Sequence, residues 1–158
     1  MLNKLNKPFL IAELSANHNG KLNNAIKLIK YAKKFGADAV KLQTYTPDWM
    51  TLKSKKKYFK IKNGLWAGYT LWDLYNKGKT PIEWHQKLFE LAKDLKIKIF
   101  STPFDKKAVD ILENLNCKFY KISSFEINDV ELIKYVAKTK KPMIISTGMA
   151  DLKEIDLA

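Results

Sequence analysis

The sequence has a single cysteine, Cys117, only two histidines, and no apolar run near the ~18 residues that a membrane-spanning helix needs. One cysteine excludes an internal disulfide and a cysteine-based metal site. It lies in Leu115-Asn116-Cys117-Lys118-Phe119, just ahead of a strand pattern, and reads as a small buried apolar residue. Glycine is scarce too, six in 158 residues. No G-x-G-x-x-G follows the first strand-like run, which removes support for dinucleotide binding. Acids are outnumbered by basic residues, 16 to 29, for a formal net charge of +13. Such an excess suits a nucleic acid, a membrane surface or an anionic small molecule, and it also arises from composition alone. The lysines spread over helical outer faces and cluster densely only at Lys53 with residues 55–57 and at Lys138, Lys140 and Lys141. Lacking a tight stripe or a nucleic-acid motif, they argue for no nucleic-acid partner and no membrane, and leave an anionic small substrate. No basic-then-apolar leader opens the chain, so a cytoplasmic location is expected.

What is present is a polar octet at residues 13–20, ELSANHNG, directly after the apolar run at residues 8–12. A helical pattern follows it, with Ala25, Leu28, Ile29, Ala32 and Phe35 recurring on one face and Gly36 in the C-cap position. The octet therefore sits at the carboxyl end of a strand, in the turn into a helix. Residues 9–14 read as a strand buried on both faces, and residues 37–43 as a second strand.

Residues 44–79 break the rhythm with Pro47, Gly64, Gly68, Gly78 and many aromatic residues. A long connection of that kind is either functional or disordered. Its aromatics argue for a folded excursion over the strand ends, with a short helix near residues 71–75. Thr80-Pro81-Ile82-Glu83 then reads as a capping box opening a helix that runs to Leu95. Strands follow at residues 97–101, 119–123 and 142–146. Helices open at Asp105, at Asn128 with Glu131, and at Asp151 with Glu154. Alternation of strand and helix means a parallel sheet with right-handed crossovers. Doubly wound sheets and (β/α)8 barrels both fit. Polar residues at all five strand ends favour the barrel, where every carboxyl end faces one mouth. A complete barrel takes about 250 residues. The expectation is a (β/α)8 TIM-barrel type cut after about five β/α units, with residues 1–158 as one partial amino-terminal domain.

The strand ends carry the chemistry. Lys41 and Lys121 stand inside apolar strand sequence, with hydroxyls at Thr102, Ser123, Ser124, Ser146 and Thr147 and acids at Glu13 and Glu126. Lysines with hydroxyls form a shell for a phosphate or carboxylate. Gly148, beside the helix start at Asp151, adds backbone amides of the kind anions favour. Acids nearby orient hydroxyls or move protons. His18 has no second ligand at a metal-binding spacing, and His85 reads as a surface or packing residue, so no metal site is expected within this chain.

These residues fall in motifs that resemble the sialic acid synthase family. The motifs are Ile11-Ala12-Glu13, Asn17-His18-Asn19-Gly20, residues 36–44 (GADAVKLQT), Ser101-Thr102-Pro103-Phe104, Tyr120-Lys121-Ile122, Glu126 and Ser146-Thr147-Gly148-Met149. They run through nearly the whole chain in order. Residues 13–17, 43–48 and 64–66, with residues 80–85, are most similar to the pseudaminic acid branch. The resemblance implies an amino-terminal (β/α)8 barrel that condenses phosphoenolpyruvate with an N-acetylated amino sugar and releases phosphate. It implies that Lys41, Thr102, Lys121, Ser124 and Ser146 bind phosphoenolpyruvate, that Glu13, Gln43 and Glu126 are catalytic and handle the sugar, and that Asn17 binds substrate. A divalent metal, Mn or Mg, is implied for the full-length enzyme, with its ligands outside this chain. So are a small carboxyl-terminal antifreeze-like domain and a homodimer.

Overall fold

The computed structural model describes residues 7–158. The expectation about a leader falls partly on residues 1–6, outside the described residues. Five strands, β1 (Ile11–Glu13), β2 (Ala39–Thr44), β3 (Lys98–Pro103), β4 (Tyr120–Ile122) and β5 (Met143–Ile145), form one sheet in the order β1-β2-β3-β4-β5. Every pairing is parallel. A doubly wound sheet reverses direction at its first strand, whereas here each new strand adds beside the last. Right-handed crossovers in that sequential order put all connecting helices on one face. The chain is thus five successive units of a (β/α)8-type barrel.

The connecting helices are α1 (Leu22–Lys34), α4 (His85–Asp94), α5 (Lys106–Asn114) and α6 (Val130–Ala137), and α7 (Leu152–Leu157) follows β5. The excursion after β2 holds α2 (Pro47–Met50), a single 3₁₀ turn at Lys57–Phe59 and α3 (Leu71–Gly78). Gly36 takes φ +87°, the left-handed conformation that ends α1. The core lies between sheet and helices, where Val40, Leu42, Leu88, Ala92, Val109, Leu112 and Val136 are fully buried. Cys117 is buried among them, and its Sγ–H reaches the Phe119 carbonyl at 3.2 Å.

Three local expectations need correction. Residues 9–14 are not buried on both faces: Leu10 is 55% exposed and Ile11 38%. Among the described strands β1 pairs with β2 alone, so one edge has no neighbour to cover it. Thr80 does not cap a helix. A 3₁₀ turn at Ile82–Trp84 precedes α4, and the Thr80 hydroxyl instead meets His18 Nε2 at 3.3 Å. The cap of α6 is Asp129, one residue beyond Asn128, and its carboxylate accepts from the Leu132 N–H at 3.0 Å. Of the two readings of His85, surface or packing, the second holds. The residue is 1% exposed, because its ring completes a hydrogen-bond chain behind β2 and β3.

Candidate active site at the carboxyl ends of the strands

Strand register decides which polar residues meet. Glu13 pairs with Lys41, Gln43 with Thr102, and Ser101 with Tyr120, which sets Thr102 level with Lys121. Paired residues in a parallel sheet share a face. Glu13, Lys41, Gln43, Thr102 and Lys121 therefore line the face opposite the helices, the interior of the barrel. Ile144 pairs into the same row through Lys121, and Ser146 stands two residues further along its strand direction. Phe100, level with Lys41 and stacked on Phe119 at 4.0 Å between ring centroids, forms an apolar floor beneath the charges.

Lys41 is held from both sides. Its ammonium forms an ion pair with Glu13 and donates to Thr102 Oγ1 at 3.2 Å. The Glu13 carboxylate also accepts from the Ser15 N–H at 3.0 Å. Ser15 adopts φ +43°, a left-handed turn that folds the first loop back over the strand ends. That turn lets Ser15 Oγ donate to Gln43 Oε1 at 3.1 Å, which leaves the amide nitrogen of Gln43 for a ligand. Asn17 is exposed in the same loop.

Lys121 differs from Lys41. Among the described residues its ammonium has no hydrogen-bond or ion-pair partner. Burial and the nearby Lys41 charge pull its pKa down, against the opposing pull of Glu13 and Glu126. An anion placed between the two ammoniums would relieve both effects. Glu126 closes the far side. It sits in the 3₁₀ turn Ser124–Glu126 after β4, accepts from the Ser123 hydroxyl, and has its pKa raised by burial against the pull of Lys121. A carboxyl so raised is suited to giving a proton. Ser124 lies beside Gly148, where an added Cβ would come 3.5 Å from Ser124 Oγ. The loops after β4 and β5 are thus in contact. At the start of α7 the Asp151 and Glu154 amides are taken by a reciprocal capping box, Asp151 N–H donating to Glu154 and Glu154 N–H to Asp151, each at 2.9 Å.

His18 is a structural post. It is 1% exposed, its Nδ1 accepts from the Gly20 N–H at 3.1 Å, and its ring packs edge-on against Trp84 at 5.3 Å. It ties the first loop to the end of the excursion. Burial lowers its pKa, so it stays neutral. The described residues bring together no group of three or more His, Cys, Asp or Glu side chains able to hold an ion. They do not fit a metal centre, so the chemistry open to them is binding, orientation and proton handling.

Sequence reasoning missed Ser15, whose signal was its place two residues after Glu13; it expected the aromatic excursion over the strand ends but did not single out Tyr75 within it. Tyr75 lies on α3 and packs on Tyr45 with ring centroids 5.9 Å apart.

A family model described as the NeuB family matches residues 28–158. The chain belongs to the NeuB family. It is 52% identical to a pseudaminic acid synthase of Helicobacter pylori over 96% of this chain and 44% of that protein. It is 41% identical to an N,N'-diacetyllegionaminic acid synthase of Legionella pneumophila over 95% of this chain and 42% of that protein. In structure it is similar to an N-acetylneuraminic acid synthetase of Leptospira borgpetersenii crystallised with citrate. The TM-score is 0.80 at 27% identity, covering 96% of this chain and 48% of the other. The chain therefore spans less than half the length of these relatives. Among the described residues no helix is long and apolar enough to cross a membrane.

Proposed function

We propose that this chain carries the phosphoenolpyruvate-binding mouth of a synthase. The enzyme condenses phosphoenolpyruvate with a 2,4-diacetamido-2,4,6-trideoxy hexose to form pseudaminic acid and release phosphate. One observation carries the reading: two lysines on the inner face, one braced by Glu13 and Thr102 and the other without a partner among the described residues, beside a row of hydroxyls. That is a seat for an anion with two charged ends. The 52% identity to a pseudaminic acid synthase supports the choice of product.

In this reading Lys41 and Lys121 hold the phosphate and carboxylate of phosphoenolpyruvate, with Thr102, Ser124 and Ser146 donating hydrogen bonds. Glu13, Gln43, Asn17 and Glu126 orient the open-chain sugar. The methylene carbon of phosphoenolpyruvate forms the new bond to the aldehyde carbon, and the carbonyl oxygen takes a proton that Glu126 is placed to supply. Water adds to the former enol carbon, and the bond to the phosphate oxygen breaks. Holding both substrates turns a bimolecular step into an intramolecular one. The divalent metal and the homodimer implied by the resemblance belong to the full-length protein, and this chain's residues are assigned no step through a metal.

The test is phosphate release by the full-length protein with phosphoenolpyruvate and either 2,4-diacetamido-2,4,6-trideoxy-altrose or N-acetylmannosamine. Faster turnover of the diacetamido sugar is expected. Equal or greater turnover of N-acetylmannosamine would move the protein to the sialic acid branch. No phosphate release with either sugar would overturn the synthase reading.

A further inference from the structure

The chain leaves β2 through Thr44 and Tyr45 and enters the excursion. Tyr45 is 6% exposed and wedged between two rings, Tyr75 of α3 at 5.9 Å and Phe104 at 5.5 Å, both edge-on. Phe104 follows the last residue of β3 directly. The carboxyl end of α3 is pressed onto the same place. A Cβ at Gly78 would stand 3.3 Å from the Tyr45 hydroxyl and 3.6 Å from Cβ of Ala16 in the first loop. Close approach, not a special φ, is what Gly78 provides. The helix is thereby fixed over the ends of β1, β2 and β3.

Tyr75 lies three residues before Gly78, on the same side of α3. Its ring is accounted for by packing on Tyr45, and a phenylalanine would pack equally well. Its hydroxyl is not so accounted for. Among the described residues it makes no hydrogen bond, and it is not a fully buried unpartnered group. The negative charge of Glu126, after β4, reaches that hydroxyl and adds to the effect of burial in raising its pKa. The phenol therefore stays protonated near neutrality and is available as a donor.

We propose that Tyr75 is a substrate-binding residue whose hydroxyl donates to an acceptor oxygen of the sugar, its acetamido carbonyl, opposite Glu126. The assignment rests on the synthase reading and deepens it. An acetamido carbonyl accepts and cannot donate, so it needs a protonated partner. Glu126 and Tyr75 can then divide the sugar between them: the carboxyl at the aldehyde end, the phenol at an amide. The ring beneath the hydroxyl gives the amide's methyl group an apolar wall.

The experiment compares Tyr75→Phe and Tyr75→Ala in the full-length protein, varying sugar at saturating phosphoenolpyruvate and then the reverse. Tyr75→Phe should raise KM for the diacetamido sugar roughly three- to tenfold, the worth of one neutral hydrogen bond. KM for phosphoenolpyruvate and the melting temperature should not move. Tyr75→Ala should raise the sugar KM further and lower the melting temperature. An unchanged sugar KM in Tyr75→Phe, or equal rises in both KM values, would overturn the assignment and leave Tyr75 as packing only. Absence of turnover in the unaltered protein would overturn the synthase reading and this assignment together. With turnover present, Tyr75→Phe decides the assignment alone.

Discussion

Ser101 and Thr102 are neighbours on β3, both buried and both hydroxylated, yet they belong to two networks on opposite faces of the sheet. Behind the sheet, Ser101 Oγ meets Thr44 Oγ1 at 2.6 Å, Thr44 Oγ1 meets His85 Nε2 at 2.8 Å, and His85 Nδ1 meets the Pro81 carbonyl at 3.1 Å. One proton arrangement satisfies every atom: Ser101 donates to Thr44, Thr44 to His85, and His85 Nδ1–H to Pro81. It requires a neutral imidazole, and burial lowers the His85 pKa in agreement. In front of the sheet, Thr102 accepts from Lys41, which is charged, paired to Glu13 and close to Lys121, which has no partner among the described residues. The rear network is neutral and closed, as buried polar groups must be when they serve the fold. The front one holds charge and an unused donor. Polarity at a strand end is therefore not a sign of function; a charge left without a partner is.

The largest effect should come from breaking the rear network. His85→Ala opens a cavity and strips Thr44 of its acceptor, so the full-length protein should lose about 3 kcal/mol of stability or more. Chemical denaturation measures it. Phosphoenolpyruvate affinity of the protein that remains folded should not change. A stability loss below about 0.5 kcal/mol, the scale of an ordinary surface change, would erase the contrast between the two faces.

Breaking the front network should do the reverse. Lys121→Ala should weaken phosphoenolpyruvate binding by about 1.5–3 kcal/mol, the range for a hydrogen bond to a charged group, with stability unchanged or slightly improved. Calorimetric titration checks it, and an unaltered dissociation constant removes Lys121 from the anion seat.

A smaller effect concerns pH. His18 and His85 both have folded pKa values below the ordinary 6.5 because burial disfavours the cation. Below pH 6.5 the unfolded chain binds protons that the folded chain refuses. Stability should then fall as pH drops from 6.5 towards the folded values and level off beneath them, by at most about 1.4 kcal/mol per pH unit for each histidine. A flat stability curve between pH 6.5 and 5 would show that neither ring is held neutral.

How much of this was legible in the sequence follows from period and parity. The alternation of strand and helix gave the parallel sheet, and the five polar strand ends gave the barrel. Strand order, which excludes the doubly wound sheet, is a long-range property that no local pattern carries. Parity told Lys41 and Gln43 from Thr44, since alternate residues face opposite ways. It did not tell which parity faced the helices, so the family resemblance, and not the pattern itself, set Thr102 apart from Ser101. Thr80-Pro81-Ile82-Glu83 has the form of a capping box, and the local rule failed because tertiary contact with His18 claimed the hydroxyl. Tyr75 was hidden for a similar reason. The excursion over the strand ends and its short helix were legible in the aromatic composition, but which ring packs on Tyr45 depends on how α3 seats there, a contact no local pattern carries.

The smallest prediction is also the sharpest, because it sets adjacent hydroxyls against each other. Ser101→Ala removes one donor from the closed network. Thr44 keeps His85, so only one net hydrogen bond is lost, costing about 1 kcal/mol of stability. On the proposed reading the anion seat lies on the other face, so phosphoenolpyruvate affinity should hold. Thr102→Val keeps the branched shape inside the barrel but takes away the oxygen to which Lys41 donates. Lys41 retains Glu13, so the fold loses little, while the ammonium swings more freely and the proposed donor to the anion is gone. Affinity should fall by about 1 kcal/mol, close to fivefold. Measuring both variants by denaturation and by calorimetry gives four numbers, of which two should move. If Ser101→Ala weakened phosphoenolpyruvate binding as much as Thr102→Val, the two faces would be one coupled network and the division between structure and site would fail.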